Sequence, residues 1–136
     1  MTTDNNLNNR IKEWYRKAEE DLISAEVLLD ARKERLQFVT ATIGFHCQQC
    51  AEKSLKGFLI QHQKEFRKSH DIIYLLNLTK EIDDRFEFLR EAALLLNEFA
   101  VNGRYPGYHE EFTLEEAKES YAIAKKCLTT FKNILE

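Results

Sequence analysis

The sequence predicts an all-α protein, an antiparallel up-and-down four-helix bundle with one additional short helix. Three observations carry this. Only four Gly and one Pro occur in 136 residues, so few points break a helix. Apolar residues recur at steps of three and four through most of the chain, the period of one helix face. Alternation of the kind a strand needs never survives for more than a few residues. A chain of this length reads as a single domain over residues 1–136. It buries roughly 70% of its unfolded surface, enough for a core without metal or disulfide help.

The first helix is predicted from about Asn8 to Lys33, with Ile11, Trp14, Ala18, Leu22, Ala25 and Leu29 on one stripe. The second runs from about Leu36 to Gln63 and turns Phe38, Ala41, Phe45, Gln48, Ala51, Leu55 and either Phe58 or Leu59 inward. A short third helix follows from about His70 to Lys80, with Ser69 as its N-cap. The fourth spans about Asp84 to Val101, with Phe86, Leu89, Ala93, Leu96 and Ala100 inward. It ends at Asn102-Gly103, the pair expected where the backbone turns left-handed. The fifth opens on Thr113-Leu114-Glu115-Glu116, a capping box, and carries Ala117, Tyr121, Ala124, Leu128, Phe131 and Leu135 on its inner stripe.

The net charge of −3 argues against a general nucleic-acid coat. The charge is uneven, however. Lys53, Lys56, Lys64, Arg67 and Lys68 face only Glu65 between Lys53 and His70, whereas Glu110 to Glu119 is an acidic run. The start, MTTDNNLNNR, has no apolar h-region, and no apolar run approaches the roughly 20 residues that cross a bilayer. Cys47, Cys50 and Cys127 are an odd set without framework spacing, as thiols in a reducing cytoplasm would be. A cytoplasmic protein with no membrane segment is expected.

The chemistry-bearing segment is FHCQQCAEKSLK, Phe45 to Lys56. His46, Gln49, Lys53 and Lys56 stand three, four and three apart, along one side of the second helix. A histidine, an amide and two lysines so aligned suit an anion or a nucleotide. His70-Asp71 follows fourteen residues later. Gly103, Pro106 and Gly107 force a turn that displays Arg104, Tyr105, Tyr108 and His109, and exposed loops on a rigid scaffold are where binding tends to sit. Cys47-Gln-Gln-Cys50 has redox-pair spacing but lies inside a helix rather than at its start, and no second cluster completes a zinc site. No metal and no cofactor is expected.

These motifs together resemble the HEPN family of small helical bundles. Trp14, Ala18, Asp21, Leu22 and Ala25 fit its first helix. Phe45, Gln48, Gln49, Ala51, Glu52, Lys53, Leu55 and Lys56 fit its most distinctive stretch. His70-Asp71 with Leu75 or Leu76, and Arg104-Tyr105-Pro106, fit its two later motifs. The resemblance covers nearly the whole chain. It implies a homodimer, a nucleotide- or RNA-related role, and a minimal nucleotidyltransferase as partner in a toxin–antitoxin-like pair. Some HEPN proteins are metal-independent ribonucleases with four to six residues between an arginine and a histidine. Arg104 and His109 have four residues between them, although Pro106 and Gly107 fall inside the motif.

Three readings follow. In the first, the chain binds a nucleotide or RNA through His46, Gln49, Lys53, Lys56, His70, Arg104 and Tyr105. In the second, it is a metal-independent endoribonuclease, with His109 as acid or base and Arg104 as phosphate clamp. In the third, it is a non-catalytic dimeric scaffold or regulator of the nucleotidyltransferase, with Gln48, Gln49 and Glu52 paired across the dimer seam.

Overall fold

The computed structural model describes residues 2–103, 105–107 and 111–135, and of residues 2–4 and 101 it describes the backbone. Six helices and no strand occur among the described residues: α1 (Thr2–Leu29), α2 (Lys33–Leu36), α3 (Thr40–Gln61), α4 (Ile72–Lys80), α5 (Leu89–Val101) and α6 (Leu114–Leu135). The all-α expectation holds. α3 is the central element and packs against α1, α4, α5 and α6. Its Ile43, Cys47, Cys50, Ala51, Leu55, Phe58 and Leu59 are all fully buried.

Two glycines on α3 set how close its neighbours come. A Cβ on Gly44 would lie 2.0 Å from the ring of Phe99 on α5. A Cβ on Gly57 would lie 2.5 Å from the ring of Phe131 on α6 and 3.1 Å from Cβ of Trp14 on α1. The bare backbone at these positions lets aromatic side chains pack directly on α3.

Boundaries differ from the sequence expectation for local reasons. α1 begins at Thr2 rather than near Asn8, because Leu7 continues the inner stripe one turn before Ile11 and packs on the core. It stops at Leu29, where Asp30 and Ala31 donate to carbonyls only three residues back. The second predicted helix is divided: α2 is a single turn, and α3 starts at Thr40. Phe38, expected inward, falls in the turn between them and is 79% exposed. Asp71, not Ser69, caps α4, its Oδ1 accepting from the Ile73 amide at 2.9 Å. Ser69 Oγ instead accepts from the Asp71 amide, ordering the cap residue.

α5 begins at Leu89 rather than Asp84, since residues 85–88 form tight turns around the Asp83 carboxylate. Phe86, Leu89, Ala93 and Leu96 are buried as expected, and Phe99 rather than Ala100 closes the stripe. Asn102 stays right-handed (φ −89°), and Gly107 is the glycine with positive φ, at 90°. Gly103 answers a different need: a Cβ there would meet the Phe112 ring at 2.4 Å. The capping box at α6 forms, with Glu116 N–H donating to Thr113 Oγ1 and Thr113 N–H to Glu116 Oε1, each at 3.0 Å. Ala117, Ala124, Leu128 and Phe131 are buried; Tyr121 is half-buried and Leu135, the last residue of α6, is exposed. No helix among the described residues is long and apolar enough to cross a membrane.

Candidate functional site: two carboxylate clusters on one helix

α3 carries a polar arc between its contacts with α1 and α4. Gln48, Glu52, Lys56, Gln49, Lys53 and His46 follow one another around it at helical spacing. Each edge of the arc is organised by one carboxylate.

At the α1 edge the carboxylate is Asp21, which is buried. His46 Nδ1 lies 2.8 Å from Oδ1, and Lys53 Nζ lies 2.6 Å from Oδ2. Each oxygen therefore serves one partner. A neutral His46 in this arrangement keeps its proton on Nδ1 and leaves Nε2 as the lone-pair nitrogen. Phe45 packs edge-on against the imidazole, with ring centroids 5.5 Å apart.

At the other edge the carboxylate is Glu52, whose side chain is 3% exposed. Its Oε1 lies 2.8 Å from His70 Nδ1, and its Oε2 lies 3.7 Å from Lys56 Nζ. Lys56 is itself 9% exposed, and its ammonium sits 5.9 Å from the centroid of the Trp14 ring. Gln48 Nε2 donates to the His70 carbonyl at 3.2 Å, while its Oε1 accepts from Gln49 Nε2 at 2.8 Å. The loop before α4 is thus tied to α3 through both backbone and side chain of His70. The His70 side chain remains 71% exposed.

The structure brings His46, Gln49, Lys53 and Lys56 together as the spacing required, and places His70 beside them through Glu52. The charges of Lys53 and Lys56 are matched within the chain. Lys64 is likewise paired, with Glu81 at 2.9 Å, and the Arg67 guanidinium stacks 3.8 Å from the Tyr74 ring centroid. The basic run of the sequence is therefore dispersed rather than pooled. Tyr105 is 69% exposed on its turn. Arg104 and His109, and with them Tyr108, lie outside the described residues. Gln48 and Glu52 find their partners on the His70 loop and on α3, within the same chain.

Asp21 is the organising residue that side-chain spacing on α3 could not reveal. Its signal was an acid at the buried edge of a stripe, three residues after Ala18 and four before Ala25. Trp14, expected in the core, is half-buried at its margin.

The family model of the HEPN domain matches residues 11–134. The chain belongs to the HEPN domain family. It is also 29% identical over 139 residues to a Methanocaldococcus jannaschii protein named "Putative toxin MJ1304", covering 92% of this chain and 88% of the relative. No solved structure matches it.

Within this HEPN domain the three cysteines are structural. Burial, reinforced by the Asp21 charge, pushes the Cys47 thiol up to about 12. Burial also raises Cys50 and Cys127, further than the neighbouring charges do. Thiols held protonated this firmly are poor nucleophiles and poor metal ligands. Among the described residues no group of three or more His, Cys, Asp or Glu is arranged to hold a metal.

Proposed function

We infer that this HEPN protein binds RNA or a nucleotide as the toxin-type member of a two-component system, as a homodimer partnered by a minimal nucleotidyltransferase. The observation that carries the reading is the grip of one buried carboxylate, Asp21, on both His46 and Lys53. It fixes an imidazole with a free Nε2 and an ammonium group side by side, with the Gln49 amide one turn along. A phosphodiester can accept from the Lys53 ammonium and from the Gln49 amide, while the lone pair on His46 Nε2 can accept from a ribose hydroxyl. His70 and Arg104 are further candidates for phosphate, and Tyr105 for a base. Lys56, facing Glu52, forms the back wall. The toxin name of the relative supports the pairing with a cognate partner.

A second reading makes the chain a metal-independent endoribonuclease. Its support is the Arg104-x4-His109 spacing in a family member. His109 would exchange the 2′-hydroxyl proton and Arg104 would hold the charged phosphorane. In the third reading the dimer only scaffolds the nucleotidyltransferase.

Incubation with mixed RNA in EDTA, alongside His109→Ala, separates them. Cuts that leave 2′,3′-cyclic phosphates and vanish in the variant establish the ribonuclease. RNA or nucleotide binding by calorimetry without cuts supports the binder. Absence of both, with a stable complex to the nucleotidyltransferase, would leave the scaffold.

A further inference from the structure

Two concavities meet on the α1 side of the bundle and share Arg10 and Trp14. One, of about 790 Å³, runs toward Leu7, Ile60, Lys64 and Phe66. The other, of about 380 Å³, is bounded by Glu13, Lys17 and Lys53. Both volumes lie in the range that holds small molecules. Arg10, Trp14 and Lys17 stand at steps of four and three, so they form one ridge of α1.

We propose that this cleft binds a nucleoside phosphate, with its base stacked on the Trp14 indole and its phosphate held by Arg10 and Lys17. The ligand class rests on the nucleotide reading above; the location rests on the cleft alone. Trp14 is anchored where Gly57 leaves room for its Cβ, yet the residue lines both concavities. A half-buried indole of this kind is a stacking platform for a planar base. Arg10 forms no ion pair or hydrogen bond among the described residues, so its guanidinium is open to a bidentate phosphate contact. Lys17 pairs with Glu20 at 3.6 Å, with both side chains about half exposed. Such a surface pair is worth little and exchanges readily for a phosphate. Lys53 bounds the inner end of the cleft, its charge matched by Asp21. Glu13 offers an acceptor for an exocyclic amine or a ribose hydroxyl. The cleft is made entirely of described residues and does not involve the Arg104–His109 turn.

Trp14 is the single tryptophan of the chain, so intrinsic fluorescence reports this cleft. The full chain is titrated with AMP, ATP, adenosine and inorganic phosphate, with calorimetry in parallel. Saturable quenching by AMP and ATP is expected, with weaker binding of adenosine. Arg10→Gln should weaken AMP binding about tenfold, the loss of one charge-assisted phosphate contact, with helix content unchanged by circular dichroism. Nucleotide heat without any change in Trp14 emission would overturn the cleft and spare the nucleotide reading. Quenching that fails to saturate, or that Arg10→Gln leaves unaltered, would also overturn it. Neither heat nor quenching with nucleotides or short RNA would overturn both.

Discussion

Replacing Glu52 by Ala removes the carboxylate between His70 and Lys56. The two partners respond differently. His70 is 71% exposed and turns to water, so its lost hydrogen bond at 2.8 Å costs little. Lys56 is 9% exposed and retains a charge with no counter-ion. Breaking a buried pair from one side costs about 3–5 kcal/mol, and the residual access of Lys56 argues for about 3. With an unfolding entropy of roughly 2.1 cal/mol/K per residue over 136 residues, each kcal/mol moves Tm by about 3.5 °C. Glu52→Ala should therefore lower Tm by about 10 °C. The Glu52→Leu/Lys56→Met double variant, with no charge left to bury, should return to within about 1 kcal/mol of the parent. Scanning calorimetry or thermal circular dichroism reads all three proteins. A Glu52→Ala protein melting within about 2 °C of the parent, or a double variant less stable than the single one, would refute the reasoning.

Gly44→Ala places a methyl 2.0 Å from Phe99 ring atoms in a full core. The overpacking outweighs the helix-propensity gain of about 1 kcal/mol, and the urea midpoint should fall by an amount equivalent to about 1–3 kcal/mol. A disulfide-exchange reagent at mildly alkaline pH should label Cys47, Cys50 and Cys127 only as fast as the chain unfolds, because burial holds all three thiols protonated. Rapid labelling of the native protein would contradict the buried assignment. Burial first, and then the hydrogen bond to Glu26, raises the Tyr121 hydroxyl from 10.0 to about 12. Its contribution to stability is present below pH about 10 and is lost as pH rises toward about 12, because the unfolded phenol ionises first. Absorbance titration should show one late phenol, absent in Tyr121→Phe.

The legible parts of the fold were those decided within a turn or two of chain. The α6 capping box needs only Thr113 and Glu116 three residues apart, and it forms as the sequence demands. Much of each inner stripe follows from period, but on α3 Ala41 and Phe45 are only half-buried and Ile43, Cys47 and Cys50, outside the expected stripe, fill the core instead. Phe38 misled because an apolar residue at the right interval says nothing of whether the helix has already begun. Asp71 took the cap from Ser69 because which residue adopts the extended conformation is set by where the loop is tied down, here by Gln48 and Glu52.

The candidate site divides the same way. Sequence by itself determined that His46, Gln49, Lys53 and Lys56 share a helix side, since helical geometry fixes neighbours three and four apart. Membership of the family was equally legible, in three separated motifs. Only the tertiary structure decided what those groups face. Asp21 is 25 residues from His46 and 32 from Lys53, and Glu52 is 18 from His70. Coulomb attraction acts across space rather than along the chain, so packing of α1 onto α3 turned an apparently free Lys53 into half of an ion pair, whereas Lys56 meets Glu52 four residues away on α3 itself. The same packing left the Trp14 cleft, lined by Arg10, open at the bundle's edge.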